Sequence, residues 1–286
     1  MEGRLSLTSN DAAPSADVTG ASTVYWVPYK GNVVTLWDGT QWKNYTLSAQ
    51  LSLSLSGMTP NLPHDVYMII SGGVPAISRL GWLNSTSRGV GSSAITTLDG
   101  RVVNNTNGRS QLYLGTFYAQ SGTTTSDSGG GVTTQVGGQR FLWNNYNRIR
   151  AQASVIDTTD SWSYTTQTIR QAQAVAGNKV EMVVGLLEDV VEASLTCSLT
   201  MQNNSTQFAA AGIGIDSTTT FSGCRQRTNI GVNSSVGQVL NARMSQFFST
   251  VGYHYLSWNE KGATGTCTWN GDLNDTQSGL IATLWR

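Results

Sequence analysis

Apolar and polar residues alternate over short stretches along most of the chain. Leu51 to Ser56 shows this most clearly, since its three leucines would face one side of a strand and its three serines the other. Comparable β-branched, aromatic or alternating stretches cover residues 23–29, 33–37, 41–47, 65–70, 77–83, 112–118, 162–169, 179–186, 190–201, 208–215, 252–258 and 264–269. Short strands separated by turns are typical of sandwiches and barrels. We therefore predict an all-β fold of antiparallel β-sandwich or jelly-roll-like domains.

Glycines punctuate this pattern and predict its turns. Asp38-Gly39 predicts a tight hairpin in which Trp42 on the returning strand faces back toward Trp37. Asp99-Gly100 predicts a second hairpin of the same kind. Gly115 interrupts an apolar strand, which indicates a bulge or a close approach of another backbone.

The organisation above the level of single strands is less sharply marked. Residues 239–248 fit a helix or a strand about equally well. Residues 121–138 are rich in Gly, Ser and Thr, which predicts a long, exposed and mobile loop. We place a domain boundary near residue 150, so that residues 1–150 form an N-terminal β domain and residues 151–286 a C-terminal β-sandwich.

The composition excludes several classes of protein. Charged residues make up 12% of the chain, and 17 basic residues balance 17 acidic ones. This zero net charge argues against disorder driven by excess charge and against a nucleic acid or an anionic membrane as partner. The missing charge is replaced by Ser, Thr, Asn and 31 glycines, while 9 Trp and 10 Tyr supply large buried or interfacial rings.

Neither a targeting segment nor a membrane span is evident in the sequence. The residues after Met1 lack the apolar run of a secretory signal, and no stretch reaches the ~18 apolar residues of a transmembrane helix. We expect a soluble protein, synthesised in a cytoplasm and not inserted in a membrane. Cys197, Cys224 and Cys267 are few and widely spaced, so we expect buried, reduced thiols.

One segment is similar to a protease motif. Residues 126–130, Ser-Asp-Ser-Gly-Gly, resemble the Gly-Asp-Ser-Gly-Gly segment of chymotrypsin-like proteases, and His64 and Asp99 precede Ser128 in that family's order. The spacing of 64 residues between His64 and Ser128 (128 minus 64) is too short for a nucleophile in the second of two barrels. We therefore interpret the segment as a flexible loop and expect no catalytic residues.

Paired carboxylates for glycoside hydrolysis are the stronger enzymatic alternative. The candidates are Glu181, Glu188, Asp189, Glu192 and Glu260. Glu188 and Asp189 are adjacent and would point to opposite faces of a strand, so we interpret all five as solvated surface residues. A carbohydrate-binding module, with exposed tryptophans such as Trp258 and Trp269 stacking on sugars, is the related non-catalytic alternative.

No cofactor or metal site is indicated. His254 lies between two tyrosines on a strand and is expected to be a hydrogen-bonded structural residue. Residues 270–275 have part of the spacing of a calcium loop but lack its closing bidentate carboxylate, so we interpret them as a turn rich in Asn and Asp.

Several segments together resemble a family of structural proteins of tailed bacteriophages, described as tail, fibre or virion-surface components. They are Arg4-Leu5-Ser6-Leu7-Thr8 with Pro14, residues 17–21, Val24-Tyr25-Trp26-Val27-Pro28-Tyr29-Lys30-Gly31-Asn32, residues 36–42, 113–117, 140–148, 158–164 and 252–254, and Gly265-Thr266-Cys267-Thr268-Trp269-Asn270-Gly271. None of these segments is a chemical signature. The Gly/Thr-rich stretch 121–138 is a departure from the family pattern and looks like an elaborated loop.

The resemblance implies a structural protein of the virion surface. It implies a homotrimer whose partners are copies of itself, other virion proteins and a host surface glycan, and it leaves fibre, tail-associated and capsid-decoration roles open. The candidate contact residues are the N-terminal aromatics Tyr25, Tyr29, Trp37 and Trp42. The alternative is that these four rings fill the N-terminal core.

Overall fold

Strands account for nearly all of the regular structure. The computed structural model describes residues 1–89, 94–131, 135–202, 208–228, 235–273 and 276–286. The strands of these residues are β1 (Gly3–Ser6), β2 (Val18–Ala21), β3 (Thr23–Pro28), β4 (Val33–Trp37), β5 (Trp42–Thr46), β6 (Leu51–Ser54), β7 (Leu62–Ser71), β8 (Val74–Gly81), β9 (Ile95–Leu98), β10 (Arg101–Asn104), β11 (Gly108–Ala119), β12 (Thr125–Ser128), β13 (Gln139–Arg140), β14 (Leu142–Asn144), β15 (Arg150–Ile156), β16 (Ser161–Ser163), β17 (Ile169–Gln171), β18 (Lys179–Val184), β19 (Val191–Gln202), β20 (Ala209–Ile215), β21 (Cys224–Thr228), β22 (Ser235–Gln246), β23 (Gly252–Lys261), β24 (Thr266–Asn270) and β25 (Gly279–Trp285). The prediction of an all-β fold is confirmed.

Four sheets and one separate hairpin contain these strands. Sheet I has the order β1-β3-β6, and sheet II the order β8-β7-β11-β10-β9 with β14 also paired to β11. Sheet III has the order β2-β12-β13-β18-β23-β20-β21 with β17 on β23, and sheet IV the order β15-β25-β19-β24-β16 with β22 on β19. Strands β4 and β5 form the hairpin. Neighbouring strands of the described chain run antiparallel except β13 and β18, which are parallel.

Sheets III and IV form a β-sandwich. Their inner faces share one hydrophobic core, to which Trp258 and Leu256 contribute from sheet III and Trp269, Leu199 and Leu280 from sheet IV. All five side chains are fully buried. Removing the apolar surface of both sheets from water is the main stabilisation of this half, at roughly 25 cal/mol per Å².

Sheets I and II, with the β4–β5 hairpin, surround a second core that includes Leu5, Trp26, Leu36, Val66 and Phe117. A third cluster of Tyr67, Tyr113, Trp143 and Val183 joins the opposite face of sheet II to sheet III. The two large cores draw on residues 5–142 and 153–284 respectively. Sheet III combines strands from before and after residue 150, so the two halves of the chain share one sheet. The domain boundary near residue 150 stays a prediction.

The predicted turns are in place. Trp37 pairs directly with Trp42 across the β4–β5 hairpin. Asp99 and Gly100 have positive φ angles of 51° and 71°, the conformation that a tight two-residue hairpin requires, and they join β9 to β10. At Gly115 the register of β11 against β7 shifts, and a Cβ there would lie 2.2 Å from the carbonyl oxygen of Trp143. Gly115 is therefore both a bulge and a close backbone approach.

Two predictions about loops and helices are corrected or resolved. The predicted exposed loop 121–138 is wrong for residues 125–128, because β12 is a fully buried strand of sheet III between β2 and β13. The other described residues of this stretch contain no strand, and Val136 is 59% exposed. Residues 132–134 lie outside the described residues. Residues 239–246 form a strand, because β22 pairs along its whole length with β19. The helical turn Ala172–Ala174 spans three residues, and no helix of the described residues is long and apolar enough to cross a membrane.

Candidate functional site

Two tryptophans face each other on the β4–β5 hairpin. The rings of Trp37 and Trp42 meet edge to face, with centroids 5.8 Å apart and planes at 70°. The Nε1–H of Trp42 donates a hydrogen bond of 3.0 Å to Oδ2 of Asp99, in the turn between β9 and β10. The second predicted hairpin therefore fixes the ring orientation of the first.

Two arginines complete the arrangement. The guanidinium of Arg101 lies 4.7 Å from the ring centroid of Trp42, and that of Arg109 lies 5.1 Å from that of Trp37. Arg109 also donates two hydrogen bonds to the Asp99 carboxylate, at 2.6 Å and 3.2 Å. These bonds from Arg109, followed by that from Trp42, lower the pKa of Asp99 to about 2. We call these five residues the tryptophan–arginine cluster.

The cluster is preformed and open to solvent. The side chains of Asp99 and Arg109 are 43% and 39% exposed, and both tryptophans are partly exposed. Trp42 also packs against the N-terminal core. Contact with solvent and contact with the core are therefore combined in one residue. Tryptophan and arginine are the residue types that most often dominate the energy of protein–protein contacts.

The other two predicted contact residues lie elsewhere. Tyr25 is on β3, paired with Ser6 and Ser52 in sheet I. Tyr29 follows β3, is 42% exposed, and has the guanidinium of Arg4 at 6.0 Å from its ring centroid. Among the described residues no ring contact joins either tyrosine to the two tryptophans. The sequence indicates Asp99 as a turn residue and in the protease comparison, not as a contact residue, and it gives no signal for Arg101 or Arg109.

The three residues of the protease comparison are not brought together. Ser128 lies buried on β12 in sheet III, while His64 lies on β7 in sheet II. The imidazole of His64 stacks on Phe117 at 5.3 Å between centroids, with the planes 8° apart. The Asp99 carboxylate is bonded to Arg109 and Trp42. No hydrogen bond of the described chain connects His64 with Ser128 or Asp99.

The adjacent carboxylates of Glu188 and Asp189 pair with one arginine side chain. Glu188 and Asp189 lie in a turn, and both carboxylates contact the guanidinium of Arg148. The expectation that they point to opposite faces of a strand is therefore wrong. Glu192, on β19, pairs with Arg150 at the surface.

The remaining two carboxylates are not solvated surface residues. Glu260 is fully buried and accepts hydrogen bonds from Arg170 at 2.8 Å, from Trp162 Nε1 at 2.7 Å and from the backbone N–H of Gln173 at 3.1 Å. Burial raises its pKa in spite of these donors. Glu181 is held by Lys179 at 2.9 Å and by the Tyr253 hydroxyl. Burial opposes the ionisation of Glu181, yet these donors leave its pKa below the ordinary value.

The tryptophans predicted to stack on sugars are inaccessible. Trp258 and Trp269 are both 0% exposed and lie in the core between sheets III and IV. The prediction that they are exposed is wrong, because alternation along β23 and β24 shows which residues share a face but not which face is covered.

His254 and the cysteines lie at buried or half-buried positions of the fold. His254 has Nδ1 at 2.7 Å from Asp216 Oδ2 and Nε2 at 2.7 Å from the Thr250 carbonyl oxygen, which confirms a hydrogen-bonded role. Cys197 and Cys267 are buried free thiols and Cys224 is half-buried. Burial raises the pKa of Cys267 to about 11. No group of potential metal ligands occurs among the described residues. In the segment 270–275, Asn274 and Asp275 lie outside the described residues.

No family model and no curated protein matches the chain. Among solved structures it is similar to a Bacillus thuringiensis Cry1Da tryptic core variant, with 8% identity, a TM-score of 0.22, and coverage of 93% of this chain and 48% of the other. The corresponding values for the Bacillus thuringiensis insecticidal crystal protein Cry7Ca1 are 9%, 0.19, 99% and 50%. For the infectious bursal disease virus Gx strain they are 10%, 0.20, 100% and 75%. The chain thus spans about half the length of the two Bacillus proteins. TM-scores this low support no conclusion about fold or function.

Proposed function

We propose that the chain is a non-enzymatic structural component on the surface of a tailed-bacteriophage particle, and that its copies associate as a homotrimer through the tryptophan–arginine cluster. The observation that carries the proposal is the cluster itself, in which two partly exposed tryptophans are held by Asp99 and by two arginines. The assignment to a phage particle rests on the resemblance of the chain to phage structural proteins. Fibre, tail-associated and capsid-decoration positions all fit.

Preorganisation is the physical reason to choose this surface. Association ordinarily costs about 0.5–1.5 kcal/mol for each rotamer-rich side chain that becomes fixed. In the cluster the Trp42 ring and the Arg109 guanidinium are already hydrogen-bonded to one carboxylate, so much of that cost falls on folding instead. A three-fold arrangement uses the same contact three times, so a small patch contributes threefold to the stability of the assembly.

The alternative function is a carbohydrate-binding module or glycan depolymerase, and the tryptophans that would support it are not accessible to a sugar. Trp258 and Trp269 are buried, and the candidate carboxylates are engaged with Arg148, Arg150 and other cations at separate places. Of the five candidate carboxylates, Glu188 and Asp189 both contact Arg148. The structural role therefore fits the geometry better than a hydrolytic one.

Light scattering of the full chain during size-exclusion chromatography tests the association. We expect three chains per particle, and we expect Trp37→Ala and Trp42→Ala each to weaken the assembly by about thirtyfold, the equivalent of a hot-spot loss of about 2 kcal/mol. The particle itself is tested by the position of the gene, which we expect among capsid and tail genes.

Trp285→Ala is the matched control, because this tryptophan is 39% exposed and lies at the end of β25 in sheet IV. It should leave the trimer intact. A monomeric wild-type chain, or a trimer unaffected by both cluster substitutions, would overturn the proposal. Thermal unfolding of each variant separates loss of association from loss of fold.

A further inference from the structure

A basic pocket lies on the outer face of sheet III. The register places Arg227 beside Ala210, Ala210 beside Lys261, and Lys261 beside Ile169, so these four residues form one row across β21, β20, β23 and β17. Residues in register point to the same face of a sheet. Neighbours of Ala210 on β20, such as Ala211, face the sandwich core instead. The row therefore lies on the side of the sheet turned away from that core.

Aromatic rings and cations form the walls of this pocket. Its lining residues are Ile169, Phe208, Ala210, Phe221, Arg225, Arg227 and Lys261. Phe221 covers Gly212, where an added Cβ would lie 2.7 Å from the ring. The guanidinium of Arg227 lies 4.4 Å from the ring centroid of Phe208. The cavity measures about 200 Å³.

Arg225, Arg227 and Lys261 of this pocket have no acidic partner among the residues that the structure describes. Arg88, Arg109, Arg140, Arg148, Arg150, Arg170, Lys179 and Arg286 each pair with a carboxylate. Arg225, Arg227 and Lys261 take part in no ion pair of the described residues, and no carboxylate lines their pocket. Glu260, next to Lys261 in sequence, is turned into the protein and bonded to Arg170. In a chain of zero net charge, this is a local concentration of positive potential.

The shape and chemistry of the pocket select the class of ligand. Guanidinium groups bind carboxylates through two parallel hydrogen bonds, and phenyl faces pack against the apolar face of a sugar ring. The volume of about 200 Å³ lies below the range of roughly 300–1,000 Å³ for drug-sized ligands, so the pocket accommodates a single ring. A nucleic acid would instead call for cations spread along a track and a basic chain.

We propose that this pocket binds one carboxylated sugar residue of an acidic polysaccharide. Arg225 and Arg227 hold the carboxylate, Lys261 adds a third positive charge at the floor, and Phe208 and Phe221 contact the ring. The site goes beyond the proposed association and does not depend on it, since the pocket and the tryptophan–arginine cluster share no residue.

Titration calorimetry of the full chain tests the proposal with three acidic tetrasaccharides, made of galacturonate, guluronate or sialic acid. We expect at least one to bind, and its affinity to fall with added salt. The methyl ester of that tetramer keeps the rings and loses the charge, so it should bind at least about tenfold more weakly. The proposal would be overturned if none of the three acidic tetrasaccharides bound, or if the acid and its methyl ester bound equally well.

Variants locate the site. Arg227→Ala and Lys261→Ala should each weaken binding by about fivefold or more, and Phe221→Ala should weaken it without changing its salt dependence. Lys30→Ala removes one exposed charge from a turn of the N-terminal half and should leave affinity unchanged. Equal loss in the Lys30 variant would show binding to general surface charge and would contradict the site. The site would also be contradicted if inorganic phosphate displaced the tetramer as readily as the free sugar acid does. Tighter binding of a single-stranded oligonucleotide than of the tetramer would contradict it as well.

Discussion

Asp99 connects two groups of the tryptophan–arginine cluster through a single carboxylate. One of its oxygens accepts hydrogen bonds from both Trp42 and Arg109, and the other accepts a second bond from Arg109. The ionised form is thereby favoured, which places the folded pKa at about 2 against an ordinary value near 3.9. A carboxylate of lowered pKa stabilises the fold fully above its unfolded pKa, and this contribution disappears as the pH falls through the folded pKa.

We predict that the side-chain carboxyl of Asp99, followed by NMR, titrates with a midpoint near pH 2. Arg109→Ala removes the hydrogen bonds that contribute most to this lowered pKa and should move the midpoint toward about 3.9. Lys30→Ala, as control, should leave it unchanged. A wild-type midpoint near 4 would show that the carboxylate is free in solution and that the cluster is not preformed.

Local rules predicted one half of this cluster and missed the other. The hairpin predicted at Asp38-Gly39 is present, and it pairs Trp37 with Trp42 across a loop of residues 38–41. The contact between Trp42 and Asp99 joins residues that are 57 apart in sequence. No period or propensity carries such information, because it depends on how the hairpins pack. The same limit explains why the sequence does not show that Trp258 and Trp269 are buried.

At the scale of single strands, the pattern failed where polarity and burial disagree. Strand β12 is polar throughout yet fully buried, because its side chains find partners. Thr125 Oγ1 donates to the Tyr118 carbonyl at 2.7 Å, and Asp127 pairs with Arg140 at 3.0 Å and with Arg286. Hydrogen bonds and ion pairs remove the penalty that would otherwise keep such a strand in solvent.

The sequence pattern does not predict strand β25, because apolar residues occupy both of its faces. Its inward residues are Leu280, Ala282 and Leu284, but the outward positions include Ile281 and Trp285, which are 44% and 39% exposed. With apolar residues on both faces, the strand shows no clear alternation. Strands with one polar face, such as β6 with its exposed serines, were predicted correctly.

We predict that Asp127→Ala destabilises the protein by about 3–5 kcal/mol, because the substitution leaves the buried guanidinium groups of Arg140 and Arg286 without their carboxylate. Urea unfolding followed by tryptophan fluorescence measures the loss. Asp160→Ala, at an exposed position, should stay within about 0.5 kcal/mol of the wild type. Equal small effects in both variants would contradict the burial of residues 125–128 and would support the exposed loop predicted from their composition.

At the scale of the whole molecule, the layers separate two kinds of surface. The N-terminal core supports the hairpin that presents the tryptophan–arginine cluster, and the sandwich of sheets III and IV supports the basic pocket. The cluster of Tyr67, Tyr113, Trp143 and Val183 links sheet II to sheet III between them. The two surfaces therefore belong to one connected framework, which suits a protein that assembles through one surface and binds through another.

Site-specific photo-crosslinking from position 37 is the most direct test of association through the cluster. With a photoreactive phenylalanine analogue replacing Trp37 in the full chain, irradiation should yield covalent products of two and three chains that map to residues of the cluster in a neighbouring copy. The same analogue at Trp285 should give no such products. Oligomers from position 285 but not from position 37 would contradict the account, because the chains would then associate through the sandwich and not through the tryptophan–arginine cluster.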